Sequence, residues 1–123
     1  MRLASIRLVT EDVAALAAFY EQVTGISPVG FADYMELATP AATLAICSQR
    51  SAAADEAGAL TAAANRTAVL EFEVDDVDAE RARLDAVVTD WVLQPTQQQW
   101  GNRSMLFRDP DGNLVNVYSA APR

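Results

Sequence analysis

Four side chains in this sequence can do chemistry from positions that strand alternation places on common faces. Arg7 lies in "SIRLV", Glu71 in "VLEFE", and Asn116 and Tyr118 in "LVNVYS". In an alternating strand the residues i, i+2 and i+4 share a side, so Ser5, Arg7 and Val9 go together, as do Val69, Glu71 and Glu73, and Leu114, Asn116 and Tyr118. A carboxylate or phenol can move a proton, a guanidinium can hold an anion, and an amide can both donate and accept. What is missing matters equally. The chain has no His and one cysteine, Cys47, so no disulfide forms within it and no imidazole activates the thiol. Cys47 reads as a small core or pocket residue.

A second set is aromatic. In "QQQWGNRS" Trp100 precedes Gly101 at the entry to a strand that also carries Arg103. Trp100 is either a wall of a binding site or an anchor of a core or subunit interface. Trp91, in "TDWVLQP", packs either under the linker or at the mouth of a site, and we assign it to the site. Phe31, Tyr34 and Met35 are candidates for an opposite wall, where a flat ring could stack.

The elements that must position these residues occur twice. Ser5 to Tyr20 and Val69 to Leu84 share a pattern at an offset of 64 residues, so that Asp12 matches Asp76 and Val13 matches Val77. Each copy runs from an alternating strand into an acidic N-cap and an amphipathic helix. The first helix aligns Val13, Leu16, Tyr20 and Val23, with Gly25 as its stop; the second aligns Val77, Leu84, Val87 and Val88. Strand signals follow around Tyr34 to Leu37 and Thr43 to Cys47, then around Val92, Ser104 to Phe107 and Leu114 to Ser119. The "DPDG" turn combines Pro110, a capping Asp111, and Gly112 for a left-handed residue. We therefore expect one domain, 1–123, of two modules, 1–48 and 67–123, joined by an Ala-rich linker, 49–66, with one or two helical turns.

The net charge of −8 argues against nucleic-acid binding and suits a neutral or cationic ligand. No apolar run approaches the length of a membrane helix and no signal peptide is evident, so a cytoplasmic protein without a membrane partner is expected.

Taken together, "IRLVTEDVAALAAFYEQVTG", "LEFEVDDVDA" and "WGNRSMLFRDPDGNLVNVYS" resemble the glyoxalase, bleomycin-resistance and extradiol-dioxygenase (vicinal oxygen chelate) superfamily over nearly the whole chain. The resemblance implies an α+β fold in which two βαβββ modules form a cup-shaped incomplete barrel, with the site on its inner faces. It also implies four metal-ligand places, usually His and Glu. Carried over, they fall on Ser5, Ala45, Val69 and Asn116, and none of these makes a credible ligand set. No metal or other cofactor is expected. Asn116 then either hydrogen-bonds a neutral ligand or satisfies a neighbouring backbone group. On the same resemblance, Arg7 and Glu71 would face one another, forming either a pair that meets a ligand or a rim salt bridge. The "WG" and the Arg two residues beyond it resemble cavity residues of the antibiotic-binding branch.

Two readings follow. In the first the protein binds and sequesters an antibiotic or aromatic natural product, through Ser5, Arg7, Tyr34, Glu71, Trp91, Trp100, Arg103, Asn116 and Tyr118. In the second it is a cofactor-independent lyase, isomerase or hydrolase that moves protons through Arg7, Glu71 or Tyr118. The resemblance implies a homodimer in either case.

Overall fold

The computed structural model describes residues 1–55 and 57–121. The chain divides into two compact units, one ending at Ala64 and the other beginning at Asn65.

The first unit runs β1 (Ser5–Thr10), α1 (Val13–Thr24), β2 (Val29–Phe31), β3 (Tyr34–Ala38), β4 (Thr43–Ser48) and α2 (Gln49–Asp55). Its open, four-stranded sheet has the order β1-β4-β3-β2, with β1 and β4 parallel and the other pairs antiparallel. Helix α1 forms where the apolar spacing predicts. Asp12 accepts from the Ala15 N–H at 3.0 Å, which satisfies one of the amides a helix start leaves open. Gly25, at φ +72°, ends the helix with its N–H on the Glu21 carbonyl. Val13, Leu16, Ala17, Tyr20 and Val23 form the buried stripe, while Leu37, Leu44 and Ile46 are buried in the sheet. The short edge strand β2 is not foreseen by pattern, because three residues are too few to show alternation. It lies so close to β3 that a Cβ on Gly30 would meet the Tyr34 carbonyl oxygen at 2.2 Å.

Helix α2 gives the Ala-rich segment an anchor. The Gln49 amide donates to the Leu60 carbonyl at 2.8 Å and its oxygen accepts from the Ala62 N–H, while Ala52 is buried.

The second unit repeats the plan: β5 (Val69–Glu73), α3 (Val77–Arg83), β6 (Asp90–Gln97), β7 (Arg103–Arg108) and β8 (Leu114–Ser119), in the sheet order β5-β8-β7-β6. Asp76 accepts from the Ala79 N–H at 3.0 Å, the counterpart of the Asp12 cap. The expected α+β architecture of two βαβββ modules is therefore present. Helix α3 is shorter than the apolar pattern suggests, since Leu84 is its C-cap. Leu84 and Val88 still reach the core, through a turn in which the Val88 N–H meets the Leu84 carbonyl at 3.0 Å.

The β7–β8 turn corrects one expectation. The capping residue is Asp109, not Asp111. Asp109 Oδ1 accepts from the Asp111 and Asn113 N–H groups, each at 2.9 Å, and Oδ2 from the Asn113 amide at 2.8 Å. Asp111 Oδ2 is buried without a partner among the described residues. A side chain at the start of a turn can reach forward to amides that a side chain inside it cannot. Gly112 takes the left-handed φ of +84° as expected.

Candidate functional site

Strand register assigns the faces within each unit. In the first, Arg7 pairs with Ala45 and Ala45 with Glu36, so these three lie in one row across β1, β4 and β3. The next row carries Val9, Cys47, Tyr34 and Phe31, and the one before it Ser5, Thr43 and Ala38. All of them are on the sheet face opposite Leu37 and Ile46. Ser5, Arg7 and Tyr34, proposed from the sequence, thus share a face.

Glu36 joins them and was missed, although the i, i+2 spacing from Tyr34 was a signal for it. The Tyr34 hydroxyl donates to Glu36 Oε1 at 2.8 Å. That hydrogen bond pushes the phenol's pKa up, because it is made by the protonated form, and burial and the Glu36 charge add to it against the pull of Arg7. Tyr34 is thus held as a neutral donor. Beside it Val29 and Phe31 are 74% and 87% exposed and form an apolar rim at the edge of the sheet.

In the second unit the rows are Val69, Leu114 and Arg108; Glu71, Asn116 and Leu106; and Glu73, Tyr118 and Ser104. Glu71, Asn116 and Tyr118 therefore share a face. The Asn116 amide donates to Glu71 Oε2 at 2.8 Å, and its own Oδ1 is buried with no partner among the described residues.

Trp91 and Arg103 are placed elsewhere, against the expectation that assigned both to the binding face. Trp91 pairs with Phe107 and meets its ring edge-on at 5.4 Å, while the Arg81 guanidinium of α3 stacks 3.9 Å over the indole. Arg103 forms a two-point ion pair with Asp78 in the first turn of α3, at 2.8 and 2.9 Å. Both therefore face the helix. Trp91 does so because it pairs with the buried Phe107 of β7; beyond it, β6 carries register shifts between Trp91 and Leu93 and between Leu93 and Thr96. Pro95 sits in the second of them, on an edge strand, where a missing N–H is tolerated. Trp100 is 71% exposed in the turn between β6 and β7, and it stands on neither face.

Two clefts lie at the C-terminal ends of the parallel strands. One, of about 440 Å³, is bordered by Glu11, Asp12, Asp33, Ser48 and Arg50. The other, of about 360 Å³, is bordered by Glu73, Asp75 and Ser119. In the first, hydrogen bonds from Arg50 and then Ser48 hold the Asp33 carboxyl below its usual range.

The duplicated module, with a polar and aromatic sheet face in each copy, defines a two-module α+β fold built to present side chains from β1, β3 and β4 and from β5 and β8. The chain matches the model of the Glyoxalase/Bleomycin resistance protein/Dioxygenase superfamily over residues 2–117, and it belongs to that superfamily. It is 28% identical over 125 residues to YraH, an uncharacterized protein of Bacillus subtilis (strain 168), covering 96% of this chain and 98% of that one. Among solved structures, a glyoxalase/bleomycin resistance protein/dioxygenase family enzyme from Burkholderia phytofirmans PsJN superposes with a TM-score of 0.85 at 19% identity, over 98% of this chain and 99% of its own. A protein of unknown function from Agrobacterium tumefaciens str. C58 superposes with a TM-score of 0.82 at 26% identity, over 98% and 94%.

The residues do not fit a divalent metal at the four carried-over places. Ser5 and Ala45 bring a hydroxyl and a methyl to one unit, Val69 and Asn116 an isopropyl and an amide to the other. Among the described residues no group of three His, Cys, Asp or Glu side chains is arranged to hold a metal ion. Nor is any described helix long and apolar enough to cross a membrane.

Proposed function

We propose that this chain is a metal-independent small-molecule binding protein that sequesters an aromatic or cationic natural product, antibiotics included. The observation that carries the reading is the donor set at the four positions: hydroxyl, methyl, isopropyl and amide, without imidazole or carboxylate. Hydrogen-bonding and apolar groups at such places select a ligand by shape and polarity and leave no Lewis acid to polarise it. The exposed rings of Phe31 and Tyr34, next to Arg7 and Glu36, support a flat ligand. The working form in this reading is a homodimer.

The test is native mass spectrometry of the purified protein, alone and with a panel of flat aromatic natural products, together with its metal content. A dimer that takes up about one unchanged ligand per chain supports sequestration. Stoichiometric metal overturns the reading of Ser5, Ala45, Val69 and Asn116. A ligand released at a new mass moves the protein to cofactor-independent catalysis, with Arg7, Glu71 and Tyr118 as the groups to substitute.

A further inference from the structure

We propose that Glu71 and Asn116 form a receptor for a planar nitrogen cation, such as an amidinium, a guanidinium or a protonated amino-heteroaromatic group. The inference deepens the small-molecule reading above and rests on it.

The argument begins with which end of the amide faces the carboxylate. A carboxylate accepts hydrogen bonds and does not donate them, so the Asn116 nitrogen must be the atom that meets Glu71 Oε2 at 2.8 Å. Turning the amide over would set two acceptors against each other. The orientation follows from chemistry, and it leaves Oδ1 as the remaining atom. That oxygen is shielded from water and has no donor among the described residues. A buried acceptor in this condition is a standing cost to the fold, removed by any ligand that brings a donor.

The neighbours do not supply one. In the same row lies Leu106, in one adjoining row Val69 and Leu114, and in the other Glu73, Tyr118 and Ser104, whose hydroxyls make no hydrogen bond to Oδ1. Arg108, also on that face, donates to the Gly112 carbonyl at 2.9 Å. Besides the second N–H of the Asn116 amide, the pair offers acceptors, Asn116 Oδ1 and the Glu71 carboxylate, from two adjacent strands roughly 5 Å apart. A planar cation carrying N–H groups on neighbouring nitrogens can meet both at once, its ring lying over Val69, Leu106 and Leu114. An anionic ligand meets the Glu71 charge and an unpaired oxygen, and it is rejected on both counts. The net charge of −8 acts in the same direction at longer range. Glu71 is the exposed member of the pair, and rotation of its side chain admits the ligand to the amide.

Benzamidine and benzoate are matched probes, equal in shape and opposite in charge. Titration of the full chain is followed by the backbone amide signals of residues 69–73, 104–108 and 114–118. Benzamidine is expected to shift these signals and benzoate to leave them unmoved. Glu71→Gln removes the charge and lets the new amide donate to Asn116 Oδ1, so benzamidine binding should weaken at least about tenfold while the melting temperature rises. Asn116→Asp, which adds a second carboxylate, should tighten benzamidine binding several-fold. Benzoate binding as tightly as benzamidine, or benzamidine affinity unchanged in both variants, overturns the proposal. If benzamidine fails while a neutral aromatic compound of the natural-product panel binds, the cation receptor is refuted and the binding reading stands. If neither binds, both fall.

Discussion

Removal of the Asp109 carboxylate tests whether the β7–β8 turn is held as described. Asp109 and Asn113 are 5% and 6% exposed, and the carboxylate accepts three hydrogen bonds of 2.8 to 2.9 Å. Asp109→Ala leaves two backbone N–H groups and one amide without their acceptor in a site water reaches poorly. Each such loss costs about 1–3 kcal/mol, and since a water entering the small void relieves part of it, the sum should be about 3–5 kcal/mol. Domains are stable by only about 5–15 kcal/mol, so a fall in melting temperature of roughly 10–15 °C is expected. Asp109→Asn keeps one oxygen for the two backbone amides and loses only the contact to the Asn113 amide, so it should cost about 1–2 kcal/mol. Urea unfolding followed by tryptophan fluorescence and far-ultraviolet circular dichroism measures both. A cost below about 1 kcal/mol for Asp109→Ala, or equal costs for the two variants, refutes the account. The turn also sets the register that places Asn116 opposite Leu106, so the benzamidine response should weaken along with stability.

Other expectations concern the parts that support the faces. Trp91→Ala should destabilise the protein by about 2–4 kcal/mol through loss of the Phe107 and Arg81 contacts, while benzamidine affinity in titration stays at the wild-type value. Gly30→Ala places a Cβ 2.2 Å from the Tyr34 carbonyl oxygen at a φ of +142°, so β2 should separate from β3. Faster hydrogen exchange in β2 and β3 and a loss of roughly 1–3 kcal/mol would show it. Asp33 and Asp78 have carboxyls held below the ordinary value of 3.8 chiefly by hydrogen bonds from Arg50 and Arg103. The unfolded chain binds their protons more readily, so their contribution is complete above that value and is lost as the pH falls through the lower folded values. Arg50→Met and Arg103→Met should each flatten the acid limb of the stability–pH curve by lowering the neutral plateau slightly while leaving the acid end unchanged, the small size being that expected of exposed pairs.

The sequence by itself determined what depends on near neighbours and on simple period. Asp12 and Asp76 cap their helices through amides three residues ahead, and Gly25 ends a helix by its own conformation, so each was legible from a few adjacent letters. The 64-residue repeat, the absence of imidazole and the faces of β1, β5 and β8 were legible too, because an unbroken strand keeps a period of two. The tertiary structure alone decided the rest. Trp91, read as a residue of the site, packs instead on Phe107 and under Arg81, partners that no stretch of adjacent letters announces. Arg103 was drawn to Asp78, 25 residues earlier, and Glu71 to Asn116, 45 residues later. Such partners are chosen by the strand order β5-β8-β7-β6, which brings distant residues within hydrogen-bond reach only after the sheet has formed. The unpaired carbonyl of Asn116 belongs to the same class, since whether a donor is present depends on every neighbour the fold assembles around it.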